Sequence, residues 1–406
     1  MTIPSYLPAL IVPAFLLFVL LEYLVAVRKG KATLFTYEWS YINISVGIAE
    51  RLLNLFITGS FYALFQYAYN HFALLHIPNT WWVWVLLLLS TDLVWYWYHR
   101  LGHEINLFWG AHIVHHQSEE FNYTVSARIT TLQAVIRNFF WCLLPVVGFH
   151  PDMVITILVV HGTYSFFTQT QVIGKLGWLE YVLITPSHHG VHHACNERYL
   201  NKNYGDIFVF WDKLFGTFQR EDEKPVFGLT HPLRTKSFLW QHFHYYIELI
   251  EACRRSGSFI QSIKIIFGKP EDLDQGIREE LEAQLLPPRH PFRATFRFKA
   301  YLNIQMLGTI TGLFVYTWLF PELDGVQKFL GAFFLLITLI NCGALLEQQR
   351  WIFPIEVVRV VSLCGAIAYA EESIGLFLTG LAIILALSSM DLIVRGYYRF
   401  VYADED

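Results

Sequence analysis

Residues 81–103 read WWVWVLLLLSTDLVWYWYHRLGH, and this stretch decides the fold that the sequence predicts. Its first part, 81–98, is almost entirely apolar or aromatic and is long enough to cross a hydrocarbon core of about 30 Å as a helix. The run ends at His99 and His103, which are four residues apart and therefore share one face of a helix. The stretch predicts a membrane helix that carries two imidazoles at its end.

Two more histidine clusters repeat one spacing, His-x2-His-His, and each follows a strongly apolar segment. With 17 histidines in 406 residues, roughly 0.03 copies of that spacing are expected by chance. Helical side chains three and four positions apart lie on one side, so each cluster is expected to aim its imidazoles at one point. The pattern favours a metal site over scattered core histidines. The candidate ligands are His99, His103, His112, His115, His116, His189, His192 and His193.

The composition indicates where such a site lies. The chain is 54% hydrophobic and 17% aromatic but only 15% charged, which is typical of a polytopic membrane protein. The formal net charge of −4 is too small to indicate a nucleic-acid partner. The five cysteines form no C-x-x-C pair, so neither a disulfide framework nor a zinc finger fits.

Nine apolar runs are candidate membrane spans. The first lacks a basic n-region and a small-residue cleavage site, so we expect a retained helix and not a signal peptide. The fourth is short, which suggests that the fourth and fifth form a tilted or re-entrant hairpin. The runs cover about 7–27, 42–69, 81–98, 135–147, 153–170, 302–320, 329–346, 355–370 and 374–393.

The basic residues predict an orientation. Arg28, Lys29 and Lys31 follow the first span and place that loop in the cytoplasm. Counting alternately, all three histidine clusters then face the cytoplasm, as a shared site requires. Arg350 and Arg395 fall on the same side.

The charged, loop-like segment 175–299 is predicted to be a cytoplasmic cap, with 270–290 as a flexible connector. We therefore expect two domains. Residues 1–300 would form a membrane catalytic domain with its cap, and residues 301–406 a C-terminal block of transmembrane helices.

Eight imidazoles are too many for one tetrahedral zinc ion. Nitrogen donors suit zinc, copper, iron and nickel alike, and two metals with about four imidazoles each use all eight. Without carboxylates such a pair keeps a high positive charge, which favours strongly oxidising chemistry with O2 if the metal is iron. A membrane face adds access for an apolar chain, so the pattern points to oxidation of a lipid C–H bond.

Two other classes of protein fit less well. A metal transporter would place its ligands along a path inside the membrane. A bis-histidine haem carrier needs single histidines on facing helices, whereas adjacent pairs such as His115 and His116 suit a site with more than one metal.

Five segments carry a resemblance to a known family. The chain resembles the fatty acid hydroxylase and sterol desaturase superfamily of membrane non-haem diiron enzymes, and within it is most similar to the alkylglycerol monooxygenase family. The resemblance is strong from about Asp92 to Pro232. The segments are WYHRLGHEIN (97–106), TPSHHGVHH (185–193), KNY (202–204), WDKLFGTF (211–218) and GLTHP (228–232).

The resemblance implies an all-α fold in which the eight histidines bind two irons, with a membrane lipid and O2 as substrates. The alkylglycerol enzymes use tetrahydrobiopterin as reductant, and a ferredoxin or cytochrome is the alternative. Glu104 matches a glutamate of these enzymes and is expected either to serve the pterin or to orient an imidazole. Sterol, sphingolipid and carotenoid hydroxylases or desaturases share the motifs, so the lipid and the choice between hydroxylation and desaturation stay open.

Besides Glu104, three residues outside the eight are candidates, Asp92, His161 and His188, while Gln169 is a departure from the family pattern and a poor iron ligand beside imidazole. Asp92 lies seven residues before His99 within the predicted span, and we expect it to support the site rather than pair with an unrelated helix. Related enzymes carry a further histidine where this chain has Gln169. His161, eight residues earlier, is a candidate ninth donor or a core residue, and His188 is expected to support the site or gate the substrate rather than bind metal.

Overall fold

A computed structural model describes residues 6–286, 295–349 and 351–402 of the chain. Arg350 and residues 287–290 of the predicted connector lie outside these ranges. Within them the chain is helical, and the only strand-like pairings are the isolated bridges Leu183–Phe208 and Ala194–Phe227. The all-α fold class is confirmed. Over the described residues the α-helices are α1 (Tyr6–Arg28), α2 (Tyr37–Phe72), α3 (Trp81–Glu104), α4 (Asn106–His116), α5 (Thr131–Trp141), α6 (Leu143–Val147), α7 (Pro151–Thr168), α8 (Pro186–His192), α9 (Phe210–Leu214), α10 (Phe238–Ser256), α11 (Phe259–Ile266), α12 (Gly276–Leu285), α13 (Phe296–Leu319), α14 (Gly325–Leu346), α15 (Ile352–Ala370), α16 (Ile374–Ser388) and α17 (Asp391–Tyr402).

Four of the described helices, α1, α2, α14 and α15, are long and apolar enough to cross a membrane. A fifth span results if α16 and α17, bent by 76° at their junction, count as one. Helices α3, α7 and α13 form where the sequence predicts them. Their tryptophan, tyrosine and polar residues lower their mean hydropathy, and their membrane crossing stays a prediction.

The fourth predicted span is broken into α5 and α6 at Cys142. Pro145 has no amide hydrogen to donate to the carbonyl of Trp141, so the helix is interrupted one turn before it. Gly148 then ends α6 with a φ of +124°, and a Cβ there would lie 2.1 Å from the carbonyl oxygen of Leu75. Only glycine fits this turn, which leads the chain into α7.

The described helices group into two compact units. One comprises residues 17–234 and 241–282, and it contains all eight clustered histidines. In its core, side chains of α2, α3, α5, α6 and α7 pack together, among them Phe65, Leu87 and Trp141. The other unit contains α13 to α17. The predicted boundary at residue 300 stays a prediction.

Candidate metal centre

The three histidine clusters lie at the ends of three helices of one unit. His99 and His103 lie near the end of α3. After the single extended residue Ile105 the chain begins α4, whose last turn carries the second cluster. The third cluster lies on α8, and His193 is its C-cap. Seven of the eight side chains are buried, and His103 is partly buried.

Asn106 fixes the start of α4. Its amide group donates to the carbonyl of Ile265 at 2.8 Å, and its backbone N–H donates to the carbonyl of Gly268 at 2.9 Å. The hydroxyl of Tyr245 donates to its side-chain oxygen. These contacts hold α4 against α10 and α11. They therefore fix the position of the last turn of α4, which carries the second histidine cluster.

The eight histidines form two groups, and within each group one ring nitrogen per residue lies within 4.8 Å of the others. The five-histidine group is His99, His103, His112, His116 and His192, and the three-histidine group is His115, His189 and His193. The groups adjoin, because the rings of His116 and His193 are stacked with centroids 4.3 Å apart. The arrangement could hold two metal ions.

Helix periodicity explains the division into five and three, where the sequence suggested about four and four. Each residue turns the helix by about 100°, so position i+4 is rotated by about 40° from i in one sense and i+3 by about 60° in the other, which leaves i+3 and i+4 on one face but about 100° apart. On α4, His112 and His116 accordingly join one group and His115 the other. On α8, His189 and His193 stay together and His192 crosses over. The second and third clusters therefore each serve both groups, whereas His99 and His103 serve the five-histidine group only.

The outer nitrogens of three rings are tied to backbone carbonyls. Nδ1 of His99 lies 2.9 Å from the carbonyl oxygen of Tyr204, and Nδ1 of His192 lies 2.9 Å from that of Lys202. Nδ1 of His115 lies 3.2 Å from the carbonyl oxygen of Arg128. A carbonyl only accepts, so each Nδ1 carries the hydrogen and each Nε2 offers a lone pair to the interior.

The inner nitrogens of the rings face one another in the interior of the site. Among the described residues, Nε2 of His103, His192 and His193 is buried with no partner. Nε2 of His112 lies 3.1 Å from Nε2 of both His99 and His116. Buried polar atoms are rarely left in this state, and converging lone pairs are what metal ions bind. The residues therefore fit a metal pair.

Burial keeps these rings in the form that binds metal. It lowers the pKa of His115 to about 3, and the neighbouring His99 adds to the effect. Burial followed by repulsion from neighbouring imidazoles holds the pKa of His116, His192 and His193 well below the usual range. The imidazoles are therefore neutral at physiological pH, and neutral imidazole is the metal ligand.

Two of the segments that carried the family resemblance form the support of the site. The KNY segment (202–204) supplies the carbonyls that accept from His192 and His99. The carboxylate of Asp212, in the WDKLFGTF segment, accepts from the backbone N–H of Tyr204 at 2.7 Å and of Gly205 at 2.9 Å. The sequence showed these segments as motifs but gave no sign of this function.

Arg128 was not singled out from the sequence. Its guanidinium is fully buried and donates to the carbonyl of Val114 and to the side-chain oxygens of Asn43, Gln117 and Gln241. These bonds fix the backbone whose carbonyl accepts from His115. A lone arginine in a loop carries no spacing signal, so the sequence could not reveal this function.

Asp92 is fully buried and accepts from the loop after the KNY segment. Its oxygens receive the backbone N–H groups of Ile207 and Phe208, at 2.9 and 3.1 Å, and the indole N–H of Trp211 at 3.0 Å. His161 lies beside it, with Nδ1 2.6 Å from Asp206 and 3.8 Å from Asp92. The structure thus places His161 with two carboxylates and apart from the eight histidines.

Glu104, His188 and Gln169 differ in how closely they approach the two histidine groups. Glu104 pairs with Arg100 at 2.8 Å, and its side chain is 37% exposed. His188 is buried against Phe218, with ring centroids 5.3 Å apart, and belongs to neither histidine group. Gln169 lies at the three-histidine group, where its Nε2 is 3.1 Å from Nε2 of His115.

Candidate membrane helices together with two adjoining buried histidine groups define a class, the histidine-rich membrane metalloproteins. A family model described as fatty acid hydroxylase matches residues 84–217. Over 362 residues the chain is 32% identical to alkylglycerol monooxygenase of Homo sapiens, covering 86% of this chain and 79% of that protein. The chain belongs to the fatty acid hydroxylase family, and it is accordingly an oxidoreductase, a membrane lipid hydroxylase.

Two further relatives differ in how far the likeness extends. Alkylglycerol monooxygenase of Xenopus tropicalis is 30% identical over 331 residues, or 78% of this chain and 72% of that protein. Cholesterol 25-hydroxylase of Homo sapiens is 28% identical over 142 residues, or 32% of this chain and 49% of that protein. No solved structure matches the chain.

Proposed function

We propose that this protein is a diiron monooxygenase that hydroxylates an ether lipid of the alkylglycerol class in a cleavage-type reaction. The observation that carries the proposal is the pair of adjoining histidine groups, five and three, whose inner nitrogens converge. Three of these nitrogens, in His103, His192 and His193, are buried with no partner among the described residues. All eight histidines are assigned as iron ligands. Iron bound there would supply the activation of O2, and the protein supplies neutral donors held in place by carbonyls.

The extent of the likeness supports the alkylglycerol subtype. The match to cholesterol 25-hydroxylase covers 32% of the chain, comparable in size to the family core at 84–217. The match to human alkylglycerol monooxygenase covers 86% and so includes helices well outside that core. Sterol hydroxylation is the alternative, and sphingolipid or carotenoid oxidation follows behind it.

The reaction needs an external reductant. One oxygen atom of O2 enters the C–H bond and the other leaves as water, with two electrons and two protons supplied by the donor. We assign that role to tetrahydrobiopterin, with a ferredoxin or cytochrome as the alternative. Glu104 directly follows His103 and is 37% exposed, so its carboxylate is accessible to a pterin from solvent.

The test is metal and product analysis of the purified protein in lipid nanodiscs. We expect about two irons per chain and no haem absorbance. With O2 and tetrahydrobiopterin the protein should consume an alkylglycerol and leave cholesterol unchanged. Turnover of cholesterol alone would favour the sterol alternative. Turnover of alkylglycerol with ferredoxin but not with pterin would overturn the reductant and keep the substrate.

A further inference from the structure

The side chain of Gln169 is buried against the three-histidine group. It is 2% exposed, and its Nε2 lies 3.1 Å from Nε2 of His115 and 3.3 Å from Nε2 of His189. Its Oε1 has no hydrogen-bond partner in the described part of the chain. Gln169 therefore contacts the inner nitrogens of the group, the atoms assigned to the metal.

The spacing matches that of two ligands on one metal. With metal–nitrogen bonds of about 2.0–2.1 Å, the donors of a tetrahedral site stand about 3.4 Å apart. The separations from Gln169 to His115 and His189, 3.1 and 3.3 Å, are close to this value. The group itself offers three imidazoles, one fewer than a four-coordinate ion takes.

The amide can present either end to the group. The nitrogen and oxygen of a glutamine are nearly identical in shape, and their assignment follows from the hydrogen bonds around them. Since Nδ1 of His115 bonds to a carbonyl, its Nε2 is an acceptor, and without a metal it attracts the NH2 end. A half-turn of the amide brings the unpartnered Oε1 of Gln169 to the same place, where it can bind a metal ion.

The backbone around Gln169 is fixed on its C-terminal side. The hydroxyl of Thr170 donates to the buried carboxyl of Glu22. The amide of Gln171 donates to the carbonyl of Phe121 at 3.1 Å. These bonds hold the chain directly after Gln169 in place.

We infer that Gln169 binds the second metal through Oε1, so that the two metals have different donor sets. One has imidazoles alone, and the other has three imidazoles and an amide oxygen. The inference rests on the two-metal assignment of the proposed function. A carbonyl oxygen suits iron less well than imidazole does, so the second site should hold iron more weakly than the first.

The experiment is an anaerobic ferrous titration of the metal-free full chain in nanodiscs, followed by Mössbauer spectroscopy with ⁵⁷Fe. The parent should bind two irons with unequal affinity and show two distinct doublets. Gln169→Ala should weaken the second iron by at least about tenfold and leave the first unchanged. Gln169→Glu and Gln169→His keep a metal-binding atom at this position and should restore binding of the second iron relative to Gln169→Ala. Their spectra should differ from that of the parent in one doublet only. Gln275→Ala, at an exposed glutamine outside both histidine groups, is the matched control and should behave like the parent.

Each other outcome is decisive. Unchanged affinity for the second iron in Gln169→Ala overturns the inference. Equal loss in Gln169→Ala and Gln169→Glu also overturns it, because an amide that only donates hydrogen bonds is not replaced by a carboxylate. If Gln169→Ala does not fold, an unaltered spectrum in Gln169→His overturns it. A parent that binds fewer than two irons contradicts the proposed metal pair. Two equally well bound irons in every variant would contradict only the assignment of Gln169 as a ligand.

Discussion

At the scale of single residues, the two nitrogens of each imidazole have separate tasks. In His192 one nitrogen donates to the carbonyl of Lys202, and the other is buried with no partner among the residues that the structure describes. The hydrogen bond to Lys202 orients the ring, and the second nitrogen is available as a metal ligand. Loss of such a side chain removes a donor without disturbing the apolar core around Phe65 and Trp141.

His192→Ala should therefore abolish turnover and lower the iron content while the protein stays folded. Iron per chain, turnover and size-exclusion profile measure the three properties. His71→Ala is the control, because that histidine is exposed, stacks on Tyr67 and belongs to neither histidine group. Full activity in His192→Ala would contradict the ligand assignment.

Glu104→Gln removes a charge and nearly preserves shape, which separates the two functions expected of this residue. If Glu104 serves the pterin, both irons stay and pterin-dependent turnover falls. If it orients His103, iron affinity falls about 10–100-fold. Iron titration and the Michaelis constant for pterin distinguish the two, with the exposed Glu197→Gln as the control. A variant identical to the parent in both measurements would leave Glu104 no part in the reaction.

The sequence could predict the eight histidines because their spacing has almost no chance of arising at random. It could not predict the contacts of Gln169, since these depend on where the end of α7 meets α4 and α8 in space. The carbonyls of Tyr204 and Lys202 were equally hidden, because every residue has a carbonyl and only the fold selects two of them.

At the scale of elements, the loop between α8 and α9 connects a buried carboxylate to the metal ligands. Asp92 on α3 binds the backbone of residues 207–208, and Asp212 on α9 binds that of residues 204–205. The carbonyl that accepts from His99 belongs to Tyr204, at the anchor formed by Asp212, and the anchor formed by Asp92 follows two residues later. Asp92 touches no clustered imidazole in these bonds, so its expected support of the site would act through this loop.

Asp92→Asn should loosen the loop, because an amide nitrogen would face backbone N–H donors. We expect iron affinity to fall by about 10–100-fold, the usual effect of losing support behind a ligand. Asp152→Asn is the matched control, since that carboxylate is exposed and pairs with Tyr62 and His150. Iron titration of both variants makes the comparison, and parent-like affinity in Asp92→Asn would show that the carboxylate only joins helices.

Among the elements, the positions of the predicted spans agree with helices, yet the fourth span shows where hydropathy misleads. Its apolar residues gave a continuous run, while Pro145 broke the helix at Cys142. The proline was visible in the sequence, so this interruption was predictable from backbone chemistry. The five-to-three division was also implicit in the spacing, because the side chains at i+3 and i+4 differ in direction by about 100° around the helix axis.

At the scale of the whole molecule, the predicted topology assigns the proposed reaction to one side of the membrane. The basic residues after α1 predict that the loop between α1 and α2 and the histidine clusters face the cytoplasm. The loop between α2 and α3 then faces the other side. The length and composition of the helices determine how many spans are available but carry no information on sidedness.

One introduced cysteine at each of two exposed positions, in separate variants, tests this orientation. In sealed, oriented vesicles Lys224→Cys should react with a membrane-impermeant thiol reagent only from the cytoplasmic side, and His76→Cys only from the opposite side. The parent chain, with its five native cysteines, gives the background. Labelling of both cysteines from one side would contradict the predicted topology. Reversed labelling would assign the proposed reaction to the opposite side of the membrane.

The order in which the helices are synthesised bears on how the two histidine groups acquire iron, because α4 and α8 each contribute to both groups. A nascent chain that has not reached α8, which begins at Pro186, already holds four of the five donors of one group but one of the three of the other. Iron delivered during membrane insertion can therefore be captured by the first group early. The second must wait until α8 docks, and because α8 contributes to both groups, maturation of the two sites finishes in one assembly event.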